Sequence, residues 1–378
     1  MADFSPVNDA DLAGAAVLSV DLAAIAANAR ALKARAPHSR LAAVVKADAY
    51  GLGAARIAPV LSSTGIGRFY VAQAQEALAL RAILGAGPEI AVLHGATLGE
   101  EDLLLRAAAA PVLGTFAQVE AWIAVAQTRN SKPAFDVQID VGMRRLGLDV
   151  ASGEAAAAAG ALEAAKLRPG TVLGHLSCSE DAGHASNARA LAAFQSAASL
   201  FSEARRSLAN TGAVFLGADY HLDEIRPGIG LYGLDPRPGH DGALSTLVPA
   251  TALTAPILQI RRLPRGQSYG YGEAFVAPQD MTIAILAHGY ADGVLRAKIG
   301  AVYGHCAGAR TPVLGRVSMD LTAVDISDAP QAREGDRIEF FGKAQSLGAF
   351  ARQCDLIPSE ALTGLSPRVR RLYREGAA

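Results

Sequence analysis

Residues 40–53 read RLAAVVKADAYGLG: an apolar run ends in a lysine, and small residues, a tyrosine and two glycines follow. An ammonium at the end of a buried strand is costly to desolvate. Lys46 is therefore either a side chain snorkelling to solvent or a reactive amine at the mouth of a strand. Outward from this stretch the pattern repeats. Short apolar runs recur as RFYVA (68–72), EIAVLHG (89–95), PVLG (111–114), FDVQID (135–140), TVLGHLS (171–177), RSLAN (206–210) and EIRPGIG (224–230). Between them lie alanine-rich stretches such as 116–127 and 187–205, whose apolar residues fall near helical spacing. Eight strands alternating with helices over roughly 200 residues predict a (β/α)8 barrel, in which Lys46 falls at the active-site end of a strand. A doubly wound sheet would alternate too, but no Gly-rich dinucleotide turn follows the first strand.

From residue 241 the texture changes. ATALTAPILQIRRL, MTIAILAHGYADG, TPVLGRVSMDLTAVDIS and DRIEFFGK alternate apolar and polar residues between glycines and prolines, which is the pattern of strands. The sequence thus predicts a barrel over 17–240 and a mainly β domain over 241–378, with residues 1–16 a candidate addition to the β domain.

Composition narrows the function classes. A net charge of −1 over 378 residues gives no electrostatic reason to expect nucleic acid or an acidic membrane as partner. The three cysteines, 178, 306 and 354, are far apart and outside any CxxC spacing, so neither a disulfide framework nor a metal site is expected. The N-terminus lacks the basic flank and apolar core of a signal peptide, and no apolar run approaches the roughly 18 residues of a membrane span. A cytoplasmic protein is the expectation.

A lysine at a barrel strand end can form a Schiff base if its surroundings lower its pKa. Six segments in order carry a more specific signal: AVVKADAYGLG (43–53), DVGMRRLG (140–147), GHLSCSE (174–180), EIRPGIGLYG (224–233), GYGEAF (270–275) with HGYADG (288–293), and GRVSMD (315–320). Together they resemble the pyridoxal-phosphate-dependent alanine racemases of fold type III. The resemblance implies interconversion of L- and D-alanine by two bases. Lys46 is then the cofactor lysine and one base, and Tyr271 of the partner subunit is the other. A base on each face of a planar carbanion is what racemisation needs. A free phenol has a pKa near about 10, so a basic tyrosine needs cationic neighbours, and Arg226 with His175 is the implied source.

The resemblance also implies a cradle for the cofactor phosphate from Tyr50, Asn210, Thr211, Gly228 and Ile229. It places Arg226 at the cofactor's ring nitrogen, with His175 hydrogen-bonded to it. Arginine does not give up its proton at ordinary pH, so the ring stays a partial electron sink. Arg145 and the Met319 backbone are implied for the substrate carboxylate. Tyr290, Met319 and Asp320 enter with Tyr271 from the second chain of a homodimer.

Two positions depart from the family pattern. Gln138 stands where many members carry a carbamylated lysine that supports the arginine, and Pro367 where some carry a phosphate-binding tyrosine. Three alternatives stay open at this level: a broader-specificity amino-acid racemase, a decarboxylase on the same scaffold, and a non-catalytic pyridoxal-phosphate carrier. Arg226 speaks against the decarboxylase, and the β domain against the carrier.

Overall fold

A computed structural model describes residues 14–237, 239, 245–293 and 302–375. It divides into two compact units, Ile25–His240 with Ser245–Val248, and Met1–Ala24 with Asp241–Leu244 and Pro249–Ala378.

In the first unit, nine strand pieces pair side by side: Arg40–Leu41, Ala43–Val44, Arg68–Val71, Glu89–Val92, Ala109–Leu113, Asp136–Asp140, Thr171–Leu173, Arg205–Ser207 and Glu224–Ile225. Every pairing is parallel. The path begins with Arg40–Leu41 against Glu224–Ile225 and ends with Ala43–Val44 against Arg68–Val71. Those two end pieces are one strand interrupted at Ala42, so the ring closes as a (β/α)8 barrel. Each of the eight apolar runs in the sequence supplies one stave.

The helices between the staves bury narrow faces, which suits their alanine content. In Glu154–Ala164 the buried residues are Ala155, Ala158 and Leu162, at helical spacing. Helix Phe116–Thr128 opens at Thr115, whose hydroxyl accepts the Gln118 N–H at 3.2 Å, and it buries Trp122 completely. Truncating such a tryptophan to alanine costs about 3–5 kcal/mol.

The barrel interior has an apolar layer, from Ala42, Val44, Tyr70, Ala91, Val112 and Leu173, and an ionic one. Arg68, Asp136 and Glu224 each open a stave, and all three are buried. Arg68 pairs with Asp136, donates to Glu89 at 2.6 Å and lies 3.6 Å from Glu224. Its Nε also donates to the Tyr70 hydroxyl at 3.1 Å, and that hydroxyl donates to Glu224 Oε1 at 2.7 Å.

The second unit is an eight-stranded sheet organised around one long strand, Thr251–Leu263. Its second half pairs antiparallel with Met281–Leu286, and its first half with Arg337–Phe341. Thr322–Asp325, Ala309–Leu314 and Tyr303–Cys306 complete the ring between those two. The strand can serve both because its register shifts between Ile257 and Gln259.

The boundary expected at residue 17 differs from the observed division. Val17–Asp21 pairs antiparallel with Thr251–Leu263 and parallel with Arg370–Arg374, so it belongs to the β unit. Its alternation was compatible with either sheet, and only the pairing partner decides. Of the 1–16 segment assigned provisionally to the β domain, residues 1–13 lie outside the described residues.

The ionic layer yields a stability prediction. Arg68→Met leaves Asp136 and Glu224 buried without their cation and should cost about 3–5 kcal/mol in denaturant unfolding. A loss below about 1 kcal/mol would show that the layer is not held by Arg68.

Candidate active site

Lys46 follows the first stave and opens a turn of unusual hand. Ala47, Asp48, Ala49 and Tyr50 all have φ between 52° and 59°. Left-handed helical geometry costs roughly 1–2 kcal/mol per non-glycine residue, so surrounding groups must hold it. Glu76 does so at the start, accepting the Ala47 N–H at 2.5 Å with one oxygen and those of Ala72 and Gln73 at 2.8 and 3.0 Å with the other. Asp48 closes the far side, accepting the Ala54 N–H at 2.7 Å through its carboxylate and that of Gly53 at 2.9 Å through its carbonyl. Gly51 and Gly53 carry the positive φ onward at 78° and 94°. The sequence reading missed Glu76, although its place three residues after Gln73 is a capping-box signal.

Lys46 is half-buried. Burial lowers its pKa, Arg145 lowers it further, and Glu76 partly opposes both. The amine is thereby moved towards the neutral, nucleophilic form.

Tyr50 reaches the last barrel loops. Its ring lies 5.1 Å from that of Tyr232, whose hydroxyl donates to the Val44 carbonyl at 3.2 Å. The Tyr50 hydroxyl rests on Gly228, where any side chain would overlap it. Burial raises its pKa to about 12, so the phenol remains a donor. Thr211 Oγ1 accepts the N–H groups of Gly228 and Gly230 at 3.1 and 3.2 Å. Ile229 opens the short turn Ile229–Tyr232. Tyr50, Thr211, Gly228 and Ile229 therefore adjoin one another. Asn210 is present in another capacity: its side chain caps Thr211–Val214 by accepting the Ala213 N–H at 3.1 Å.

Arg226 is buried, with one donor on Ser207 Oγ and another on the Gly174 carbonyl at 2.6 Å. The expected hydrogen bond to His175 is not made; the guanidinium is turned onto the Ser207 and Gly174 oxygens instead. Burial, with Arg226, Arg145 and Lys46 close by, lowers the His175 pKa to about 3. The imidazole is therefore neutral, and the positive charge expected of the Arg226–His175 pair belongs to the arginine alone.

Arg145 is exposed, in the loop after Asp136–Asp140. Gln138 stabilises that loop differently from the carbamylated lysine it replaces. Its amide donates to the Leu146 carbonyl at 2.8 Å, fixing the backbone beside Arg145 and not the guanidinium. Asp140 accepts the N–H groups of Gly142 and Arg144 at 2.9 and 3.1 Å.

In the β unit, three loops adjoin. Gly315 packs against Tyr269 and Phe275, and Arg316 against Gly272. The Tyr290 N–H donates to the Ser318 carbonyl at 3.0 Å and that of Ala291 to the Met319 carbonyl at 2.9 Å. Tyr271, Tyr290 and Met319 are 63, 39 and 53% exposed, a high fraction for large apolar groups brought onto neighbouring loops. Asp320 is paired with Arg368 at 2.8 Å, next to the exposed Pro367.

A strand-end lysine of lowered pKa, a glycine-walled cradle with a protonated phenol, and a buried arginine define a barrel with a reactive amine beside a cluster of hydrogen-bond donors. Comparison with known proteins narrows this class. The alanine racemase N-terminal domain profile matches residues 20–236 and the alanine racemase C-terminal domain profile residues 250–373. The chain belongs to the alanine racemase family. It is 41% identical to the alanine racemase of Rhodospirillum rubrum, over 96% of this chain and 97% of that protein. It is 38% identical to the catabolic alanine racemase of Mesorhizobium japonicum, over 98% and 96%. A crystal structure of the Bartonella henselae alanine racemase with covalently bound pyridoxal phosphate superposes with a TM-score of 0.90 at 36% identity, covering 96% of this chain and all of that one. The biosynthetic alanine racemase of Pseudomonas aeruginosa gives 0.88 at 34%, over 96% and 99%.

The left-handed turn gives a test independent of turnover. Glu76→Gln removes the one anion that raises the Lys46 pKa, so the pKa should fall further. In apoprotein, the pH midpoint for acylation of Lys46, read by peptide mass, should move down. An unmoved midpoint would mean that Glu76 holds the turn without acting on the amine.

Proposed function

We propose that the protein is a pyridoxal-phosphate-dependent alanine racemase interconverting L- and D-alanine, with Lys46 and Tyr271 of the partner subunit as its two bases. The observation that carries this is the joint placement of Lys46, the Tyr50–Gly228 cradle and buried Arg226 at one end of the barrel. The residues fit the cofactor. Gly228 and Gly230 lack the Cβ that would overlap Tyr50 and Thr211, so both side chains close on the backbone of the cradle, and the Tyr50 phenol stays protonated to donate to a phosphate.

When bound, the conjugated pyridine ring withdraws electrons from the amino-acid Cα and makes its proton acidic. The chain's own groups do the rest. Thr211, Gly228, Ile229 and Tyr50 would hold the phosphate. Arg226 would be the partner of the ring nitrogen and cannot donate its proton there, which would limit electron withdrawal and favour proton exchange over decarboxylation. Arg145 and the Met319 backbone N–H of the partner subunit orient the carboxylate. Lys46 removes or returns the Cα proton on one face, and Tyr271 of the partner subunit does so on the other. Tyr290 of the partner subunit narrows the entry, which suits a methyl side chain.

The exposure of Tyr271, Tyr290 and Met319 on the β unit supports a homodimer in which each chain completes the other's site. Neutral composition and the want, among the described residues, of any helix long and apolar enough to cross a membrane are consistent with a cytoplasmic enzyme.

Incubating the protein with D-alanine alone and following optical activity tests the reaction. Racemisation is expected, and an unchanged signal with cofactor bound contradicts the assignment. Complementation tests the shared site. Lys46→Ala and Tyr271→Phe homodimers should each be nearly inactive. Randomly exchanged hybrids should recover about a quarter of wild-type activity, since about half the dimers then hold one intact site of two. No recovery from verified hybrids would place both bases in one chain.

A further inference from the structure

Arg226 is a buried cation whose bonds all go to neutral oxygens, those of Ser207 and Gly174. Among the described residues no carboxylate forms an ion pair with it, unlike Arg68, which touches three. A fully buried charge without compensation is costly, so its counter-charge must lie one layer further in. Glu224, two residues earlier in the chain and completely buried, is on the same inward side. Tyr70 stands between them. Its ring centroid is 5.9 Å from Arg226 Cζ, and its hydroxyl donates to Glu224 Oε1 at 2.7 Å. That hydroxyl already accepts from Arg68 Nε at 3.1 Å, so its one proton is committed to Glu224. Ser207 is oriented in the same way: its O–H goes to the Glu224 carbonyl at 2.7 Å, which leaves its lone pairs for Arg226.

We propose that Glu224, fixed by Tyr70, is the counter-charge of Arg226 and a positioning residue for the ring-nitrogen side of the cofactor site. Glu224 also lies 3.6 Å from Arg68 and 4.0 Å from Arg40, but Arg68 has Asp136 and Glu89 besides. Arg226 forms no ion pair with another carboxylate among the described residues, so the charge of Glu224 is shared between the ionic layer and Arg226. Burial draws the Arg226 pKa down, and Tyr70 and Glu224 are the acids that oppose it most. Burial also keeps Tyr70 protonated, well above the ordinary phenol range, so the opposing charge is that of Glu224. The proposal rests on the reading of Arg226 as the ring-nitrogen partner.

The test is a double-mutant cycle on the holoenzyme. Glu224→Gln preserves shape and removes the charge. Expected are a cofactor affinity about tenfold weaker, a shifted visible absorption band, and kcat for alanine down about tenfold with KM within about twofold. Added to Arg226→Gln, the same substitution should change affinity and band by less than about twofold, because there is no cation left to position. The proposal is overturned if the tenfold loss persists in that background. It is overturned equally if Glu224→Gln lowers thermal stability alone, with wild-type affinity and spectrum, since that is a structural role. Should Glu224→Gln fail to fold, Tyr70→Phe decides: it frees Glu224 but keeps the ring, and should weaken cofactor binding about threefold with the same spectral shift. Wild-type values for that variant would overturn the proposal. Failure of the racemase assignment itself reads differently, as wild-type protein that binds no pyridoxal phosphate.

Discussion

The site is organised by a strained turn. Four consecutive non-glycine residues, Ala47 to Tyr50, hold left-handed geometry directly after Lys46. At roughly 1–2 kcal/mol each, they persist because Glu76 and Asp48 satisfy the N–H groups that such a turn exposes. The consequence is spatial. The chain leaves the first stave in a direction no right-handed turn would give, and Tyr50 arrives over Gly228 at the last stave of the ring. The reactive amine and the anion cradle thus share one short segment, and the barrel's closure brings the two ends of that arrangement together.

Charge is distributed to match. Lys46, Arg145 and Arg226 gather near His175, and the histidine responds by staying neutral, with a pKa near 3. Such an excess of positive potential suits a ligand with a phosphate and a substrate with a carboxylate. Deeper in the barrel the balance is restored by Asp136 and Glu224 against Arg68. A cavity of about 670 Å³ beside Pro37, Ser39 and Leu222 lies near the opposite ends of the staves.

Much of this was legible in the sequence. The eight staves were visible because each is a short apolar run bounded by helical spacing, and Lys46 stood out because a charge ends one of those runs. The buried ionic layer was less visible, although its signal is there: RFYVA, FDVQID and EIRPGIG each carry a charged residue at or beside the start of the run. Period alone does not tell an inward-facing charge from a solvated strand end. Pairing partners were equally hidden, which is why Val17–Asp21 was expected in the barrel and lies in the β sheet. The Arg226–His175 bond was expected from resemblance, and the guanidinium bonds Ser207 and Gly174 instead, a choice of orientation that sequence spacing does not specify.

All of this converges on one amine. The most direct measurement is borohydride reduction of the protein purified with its cofactor, followed by peptide mapping. The account predicts a single pyridoxyl label on Lys46, within the peptide that carries AVVKADAYGLG. A label on Lys33, Lys132 or any other lysine would contradict it.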